Sequence, residues 1–169
     1  MQLAALLPPF AALASTVWAD ALADIQNPLK VVTTDIRNYT ATLANYRVGV
    51  SRLASEVLYS GLALLADIHD FSNSTDFSVL DSQDSQQLVG VSYQDMYDAT
   101  GELSEKLNLL TLANTTAPYE SGFSYSSMLA LSDNIVKYLP RDDTQVNQQA
   151  DYLSDAIYRS LRAAETSYP

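Results

Sequence analysis

Apolar residues recur from Ile25 to Val57 at alternating steps of four and three: Ile25, Leu29, Val32, Ile36, Tyr39, Leu43, Tyr46, Val50, Leu53 and Val57. That spacing is the buried stripe of a helix. Apolar residues make up 47% of the chain, so ten matches in one frame arise by chance roughly once in two thousand frames. The chain is built to pack helices.

Punctuation residues divide this pattern. Asn27 suits an N-cap and Pro28 the first helical position, so a first helix is expected from about Pro28 to Tyr46, with Gly49 breaking it. A second helix is expected from Ser51 to Asp70, carrying Leu53, Val57, Leu58, Leu62, Leu64, Leu65 and Ile68. That apolar surface is too wide for one neighbour, which predicts a central helix with at least two partners. Phe71 to Leu80 is rich in Ser, Asn, Thr and Asp and reads as loop. Leu88, Val91, Met96, Ala99, Leu103, Leu107 and Leu110 mark a third helical region, with Gly90 and Gly101 as points where it is expected to kink or split. Phe123, Met128, Leu131, Ile135 and Leu139 predict a fourth helix ending at Pro140, and Val146, Ala150, Leu153, Ile157, Leu161 and Ala164 a fifth. Asp142, Asp143 and Thr144 crowd the start of the fifth, where acids and a capping hydroxyl are favoured. No strand alternation and no solenoid-length repeat competes with this pattern. The expected fold is all-α, a single-domain bundle of about five amphipathic helices.

The N-terminus has a different character. Leu3 to Val17 is almost wholly apolar and ends in Val17-Trp18-Ala19. Residues 1–19 therefore read as a secretory signal, with cleavage expected after Ala19 or Ala21, and residues 20–169 as the mature domain. The apolar run is too short for a membrane span, and the C-terminal residues lack the apolar tail of a lipid-anchor signal, so no transmembrane anchor is expected. There is no cysteine, hence no disulfide framework, and stability must come from helix packing. Three sequons begin at Asn38, Asn73 and Asn114, candidate glycosylation sites of an exported chain. Asn38 falls on the outward side of the first stripe.

Charge narrows the partners. Twenty Asp and Glu against nine Lys and Arg give a net charge of −11. Nucleic acid and anionic headgroups are repelled, so adsorption to a lipid or polymer surface must rest on apolar contact. Catalytic chemistry is sparse. The single histidine, His69, lies between Asp67 and Asp70, a spacing with little reach to a common metal. No Gly-x-Ser-x-Gly elbow is present. Asp81 to Gln86 resembles a calcium loop but lacks its sixth-position glycine and twelfth-position glutamate. The expectation is a non-enzymatic protein without cofactor or metal.

The mature chain, opening Ala23-Asp24-Ile25-Gln26 and closing Ala156-Ile157-Tyr158-Arg159-Ser160-Leu161, resembles the fungal hydrophobic surface-binding protein A family, to which cell-wall galactomannoproteins belong. The Val32-x-x-x-Ile36-x-x-Tyr39 frame and the Met128-Leu129-x-Leu131 helix carry the resemblance further; Pro28 and the eleven tyrosines depart from it. The resemblance implies a secreted or cell-wall protein that attaches to hydrophobic surfaces, recruits a secreted hydrolase to them, or holds fatty-acid-like lipids between its helices. Flexible Met96 and Met128, with Leu103, Leu107, Ile135 and Ile157, are the residues that would line such an apolar slot. The same six are also what an ordinary filled core would use, as in a structural wall protein or a secreted interaction protein without ligand.

Overall fold

The computed structural model describes residues 8–47, 50–112 and 125–166, and the side chains of 21–47, 50–110 and 125–164. Its elements are α1 (Pro8–Asn45), α2 (Ser51–Ser74), a 3₁₀ turn (Phe77–Val79), α3 (Ser82–Gln87), a π-helical turn (Leu88–Tyr93), α4 (Gln94–Leu112), α5 (Tyr125–Tyr138) and α6 (Thr144–Thr166). Among the described residues there is no strand. Since α3, the π-turn and α4 follow one another without a break, they form one rod, and the described residues make five rods, as the periodicity predicts.

These rods close into a ring. α1 packs against α2 and α4, α2 also meets α5, and α6 stands between α5 and α4. Each stripe turns inward: Leu29, Val32, Ile36, Tyr39 and Leu43 of α1, Leu64 and Ile68 of α2, and Val146, Ala150, Leu153, Ile157, Leu161 and Ala164 of α6 are all buried in one core. Helix α2 is therefore one member of the ring, packed among the described rods against α1 and α5; the expected two partners are there, but the expectation that it occupies the centre is not met. Its inner face is buried through Val57, Gly61, Leu64, Ile68 and Phe71, while its outer face stays open.

The first helix begins far earlier than Pro28. It runs from Pro8 through Asn45 with Pro28 inside it. A proline in a helix interior costs about 3 kcal/mol, because it removes one backbone hydrogen bond and crowds the preceding turn. Leu22 and Ile25, within two turns upstream, are both buried in the core, and burial of each is worth about 1.5–3 kcal/mol. The two together offset the proline, so the stripe carries the helix through the position where the capping signal would have started it.

The loop expected from Phe71 to Leu80 is shorter. α2 continues to Ser74 and buries Phe71, and the 3₁₀ turn brings Phe77 edge-on against it, ring centroids 5.9 Å apart. Two aspartates then organise the entry to the third rod. The Asp76 carboxylate accepts from the backbone N–H of Ser78 at 3.0 Å, and that of Asp81 accepts from the N–H of Asp84 at 2.8 Å, capping α3. The segment that resembles a calcium loop is thus a helix cap. At α6 the cap is Asp143, whose carboxylate accepts from the N–H of Gln145 and of Val146 at 2.9 and 3.1 Å. Asp143, not Thr144, caps this helix.

Gly90 lies in the π-turn, whereas α4 passes through Gly101 without interruption. The wider π-turn resets the buried face. Leu88, Val89 and Tyr93 point inward and Val91 is 61% exposed, where an uninterrupted α-helical stripe would have buried Val91. From Met96 onward the stripe Ala99, Leu103, Leu107 and Leu110 is buried as expected. Phe123 lies outside the described residues, and Leu139 of the fourth stripe is buried just past the end of α5.

Candidate functional site

The six apolar candidates come from three consecutive members of the ring: Met96, Leu103 and Leu107 from α4, Met128 and Ile135 from α5, and Ile157 from α6. All six join the single core and none is more than 1% exposed. None of them lines the surface grooves between α1 and the π-turn, beside α2, or near the start of α6. A lipid placed among them would have to part packed helices.

Between these faces lies a chain of hydroxyls that the apolar pattern does not reveal. The Tyr93 hydroxyl and Ser132 Oγ are 2.6 Å apart, and Ser132 Oγ donates to Ser154 Oγ at 3.0 Å, linking the π-turn, α5 and α6. Burial pushes the Tyr93 phenol up to about 12. The cluster holds no imidazole and no hydrogen-bonded carboxylate, so it pins three rods without offering a base. His69 is exposed on α2.

Helix α2 carries the most unusual surface. From Val57 to Ala66 ten consecutive residues bear no charge, nearly three helical turns. Inward positions fill the core; Leu58 and Leu65 are half-buried at the flanks; Tyr59, Leu62, Ala63 and Ala66 are exposed, with Tyr59 at 70% and Leu62 at 45%. The exposed four fall at i, i+3, i+4 and i+7, one continuous stripe on the outside of the ring. Towards the other end of α2 a shallow groove of about 390 Å³ separates it from α1, with Pro28, Val31 and Phe71 in its walls and Asp67 and Asp70 at its edge. Asp67 is pushed up to about 6 by its hydrogen bond to Asp35 of α1, by burial, and by the charges of Asp35 and Asp70.

A larger, polar groove of about 600 Å³ opens on the other side of α1, against the π-turn. Gln26, Asn27 and Lys30 form one wall; Gln87, Gly90, Val91 and Ser92 form the opposite one, and Gln94, Asp95 and Asp98 close it. Arg37 of α1 spans to α4 beside it, donating to both carboxylate oxygens of Asp95 at 2.6 and 3.2 Å. That contact holds the Asp95 carboxyl below the usual carboxylate range. Gln94 Nε2 donates to Asp98 at 3.1 Å. Sequence reasoning misses this groove because its walls are about sixty residues apart and none of its polar residues forms a local motif; the π-turn that shapes it leaves only the irregular spacing of Leu88, Val89 and Tyr93 as a trace.

Of the sequons, Asn38 and Asn73 are exposed and Asn114 lies outside the described residues. Residues 1–7 of the expected signal also lie outside them, and of residues 8–20 only the helical backbone is described. Among the described residues, no group of three or more His, Cys, Asp or Glu is placed to hold a metal ion, and no helix is long and apolar enough to cross a membrane. Compared with known proteins, the chain matches no family model, no curated protein and no solved structure.

Proposed function

We propose that this chain is a secreted or cell-wall, non-enzymatic protein that attaches to hydrophobic surfaces or long-chain lipids, and that α2 is the element that makes the attachment. The observation that carries this reading is the uncharged stretch Val57 to Ala66, with Tyr59, Leu62, Ala63 and Ala66 left in solvent by a bundle whose other stripes are buried. A helix apolar all round is ordinarily covered on every side. In a chain of net charge −11, such a stripe is a region where contact with an apolar surface meets no electrostatic penalty. The resemblance to the hydrophobic surface-binding protein A family points the same way, and under it the attached protein recruits a secreted hydrolase to the surface. On the same reading Asn38 and Asn73 are glycosylation acceptors, both exposed.

The experiment is adsorption of the purified protein to a hydrophobic polymer at low and high salt. Adsorption is expected to persist or strengthen as salt rises, because it is apolar contact that is being screened from nothing. Leu62→Glu with Ala63→Glu is expected to abolish it while the helical circular dichroism stays unchanged. Wild-type adsorption by that variant defeats the assignment to α2.

A second reading, a structural or interaction protein with a filled core and no ligand, is favoured by the near-complete burial of Met96, Leu103, Leu107, Met128, Ile135 and Ile157. Displacement of a fluorescent fatty acid separates the two. Retention that Leu107→Trp abolishes places lipid between α4 and α6; no retention and no adsorption leave the structural reading standing.

A further inference from the structure

We propose that the groove between α1 and the π-turn binds an uncharged oligosaccharide. This goes beyond surface attachment and rests on a different part of the molecule from the α2 stripe.

The argument begins with charge. The protein as a whole is strongly acidic, yet of the groove's charged lining residues Asp95 is already paired with Arg37 beside it, which leaves Lys30 standing against Asp98. An anion meets Asp98 and a cation meets Lys30, so the field favours a neutral ligand. The other polar lining is uncharged: the carboxamides Gln26 and Asn27 on one wall and Gln87 and Gln94 across from them, with the hydroxyl residues Thr33 and Ser92. Each carboxamide offers an acceptor and two donors, and a ligand that matches this lining has to donate and accept at many points along its length. Sugar hydroxyls do both. Asp98, exposed at the margin, accepts from Gln94 through one carboxylate oxygen and leaves the other as an acceptor for a sugar hydroxyl.

Shape supports the same class. At the crest of the π-turn stands Gly90, where an added Cβ would meet nothing within 4 Å. The glycine is therefore not required by packing, and its φ is not left-handed. What its missing side chain provides is bare backbone along the groove wall, on which a flat ring can lie close. Next to it the exposed Val91 side chain offers the one apolar plate, suited to the C–H face of a sugar ring. Short π-helical segments are costly and recur where a binding surface needs the backbone re-aimed. A volume of about 600 Å³ falls in the range of ligand sites and leaves room for more than one ring.

The test is titration of isotopically labelled protein with cellotetraose, laminaritetraose, mannotetraose and chitotetraose, followed by backbone amide resonances, with tetra-alanine as a peptide of similar length. At least one tetrasaccharide is expected to shift Gln26, Asn27 and Gln87 to Gln94 in a saturable way, and tetra-alanine to shift none of them. Gly90→Trp is expected to fill the groove and abolish the shifts while adsorption to hydrophobic polymer is retained. Should that variant fold poorly, Asp98→Ala, at an exposed position, is expected to weaken binding about tenfold, the worth of one or two good hydrogen bonds. No shift with any tetrasaccharide, shifts with the peptide alone, or undiminished binding by both variants overturns the proposal.

Discussion

Asp67 of α2 and Asp35 of α1 face one another across the helix interface and share a hydrogen bond, carboxyl to carboxyl, with Asn38 Nδ2 donating to Asp35 at 3.2 Å. Ionising Asp67 in this relation places a second negative charge beside Asp35, so its protonated form is favoured.

Stability is therefore expected to fall as pH rises through this pair. The folded value of about 6 for Asp67 lies above the ordinary carboxyl value of about 4 in an unfolded chain. The folded state binds the proton more tightly, so the contribution is complete below about pH 4 and is lost as pH rises through about 6. The charges acting on Asp67 are Asp35 from α1 and Asp70 from its own helix. Asp67→Asn should match the wild type in thermal unfolding at pH 4 and exceed it at pH 7.5. Equal melting temperatures at both values would remove the pair from any role in stability.

Asp143 behaves in the opposite sense. Besides capping α6, it accepts from Gln86 Nε2 at 2.8 Å and from Ser82 Oγ at 3.1 Å, tying α3 to α6. The Gln86 contact, with the capping N–H groups and Ser82, holds its carboxyl below the usual range. Its contribution is present above the unfolded carboxyl value and lost as pH falls below it. Asp143→Ala is expected to be less stable than the wild type at pH 7 and indistinguishable from it near pH 2, by denaturant unfolding.

Burial separates two leucines that the periodicity treats alike. Leu107 is sealed in the core and Leu53 is half-buried near the start of α2. Leu107→Ala should cost about 2–5 kcal/mol, a transfer loss plus a cavity, and Leu53→Ala less than half as much. Urea unfolding of both variants gives the ranking directly; an equal loss would mean that α2 is covered on a side where it is drawn here as open.

Tyr93→Phe keeps the ring and removes the hydroxyl from the Ser132 and Ser154 chain. A net cost of about 0.5–1.5 kcal/mol is expected. Since burial pushes the Tyr93 phenol up to about 12, the same variant should remove one late-titrating phenol from an alkaline absorbance titration.

The fold was legible where burial is periodic and local. The stripes of α1 and α6 appear in the sequence residue for residue, from Ile25 to Leu43 and from Val146 to Ala164. It was illegible where a strong local signal is outweighed by tertiary packing, as at Asn27-Pro28, where burial of Leu22 and Ile25 overrides the cap. A fixed helical period also cannot represent the π-turn, so the periodicity puts Val91 inside and omits Val89 and Tyr93, which the structure buries. The width of α2's apolar surface was visible, but a pattern states how much surface is apolar and not how much of it the neighbours cover. Of the candidate sites, the apolar slot was read from one-dimensional stripes, whereas the polar groove joins Gln26 to Asp98 across the bundle and exists only once α1 and α4 meet.

The position of α6 between α4 and α5 governs the order in which this chain can become a folded protein. The rods on either side of it emerge first, with their apolar faces made and no common partner to close them. Only the final stretch, 23 residues long, joins them. Without α6 the buried stripes of α4 and α5 have lost the partner that stands between them, and uncovered apolar faces are adhesive, so α6 acts as a latch: a chain interrupted before Thr144 should remain open and sticky.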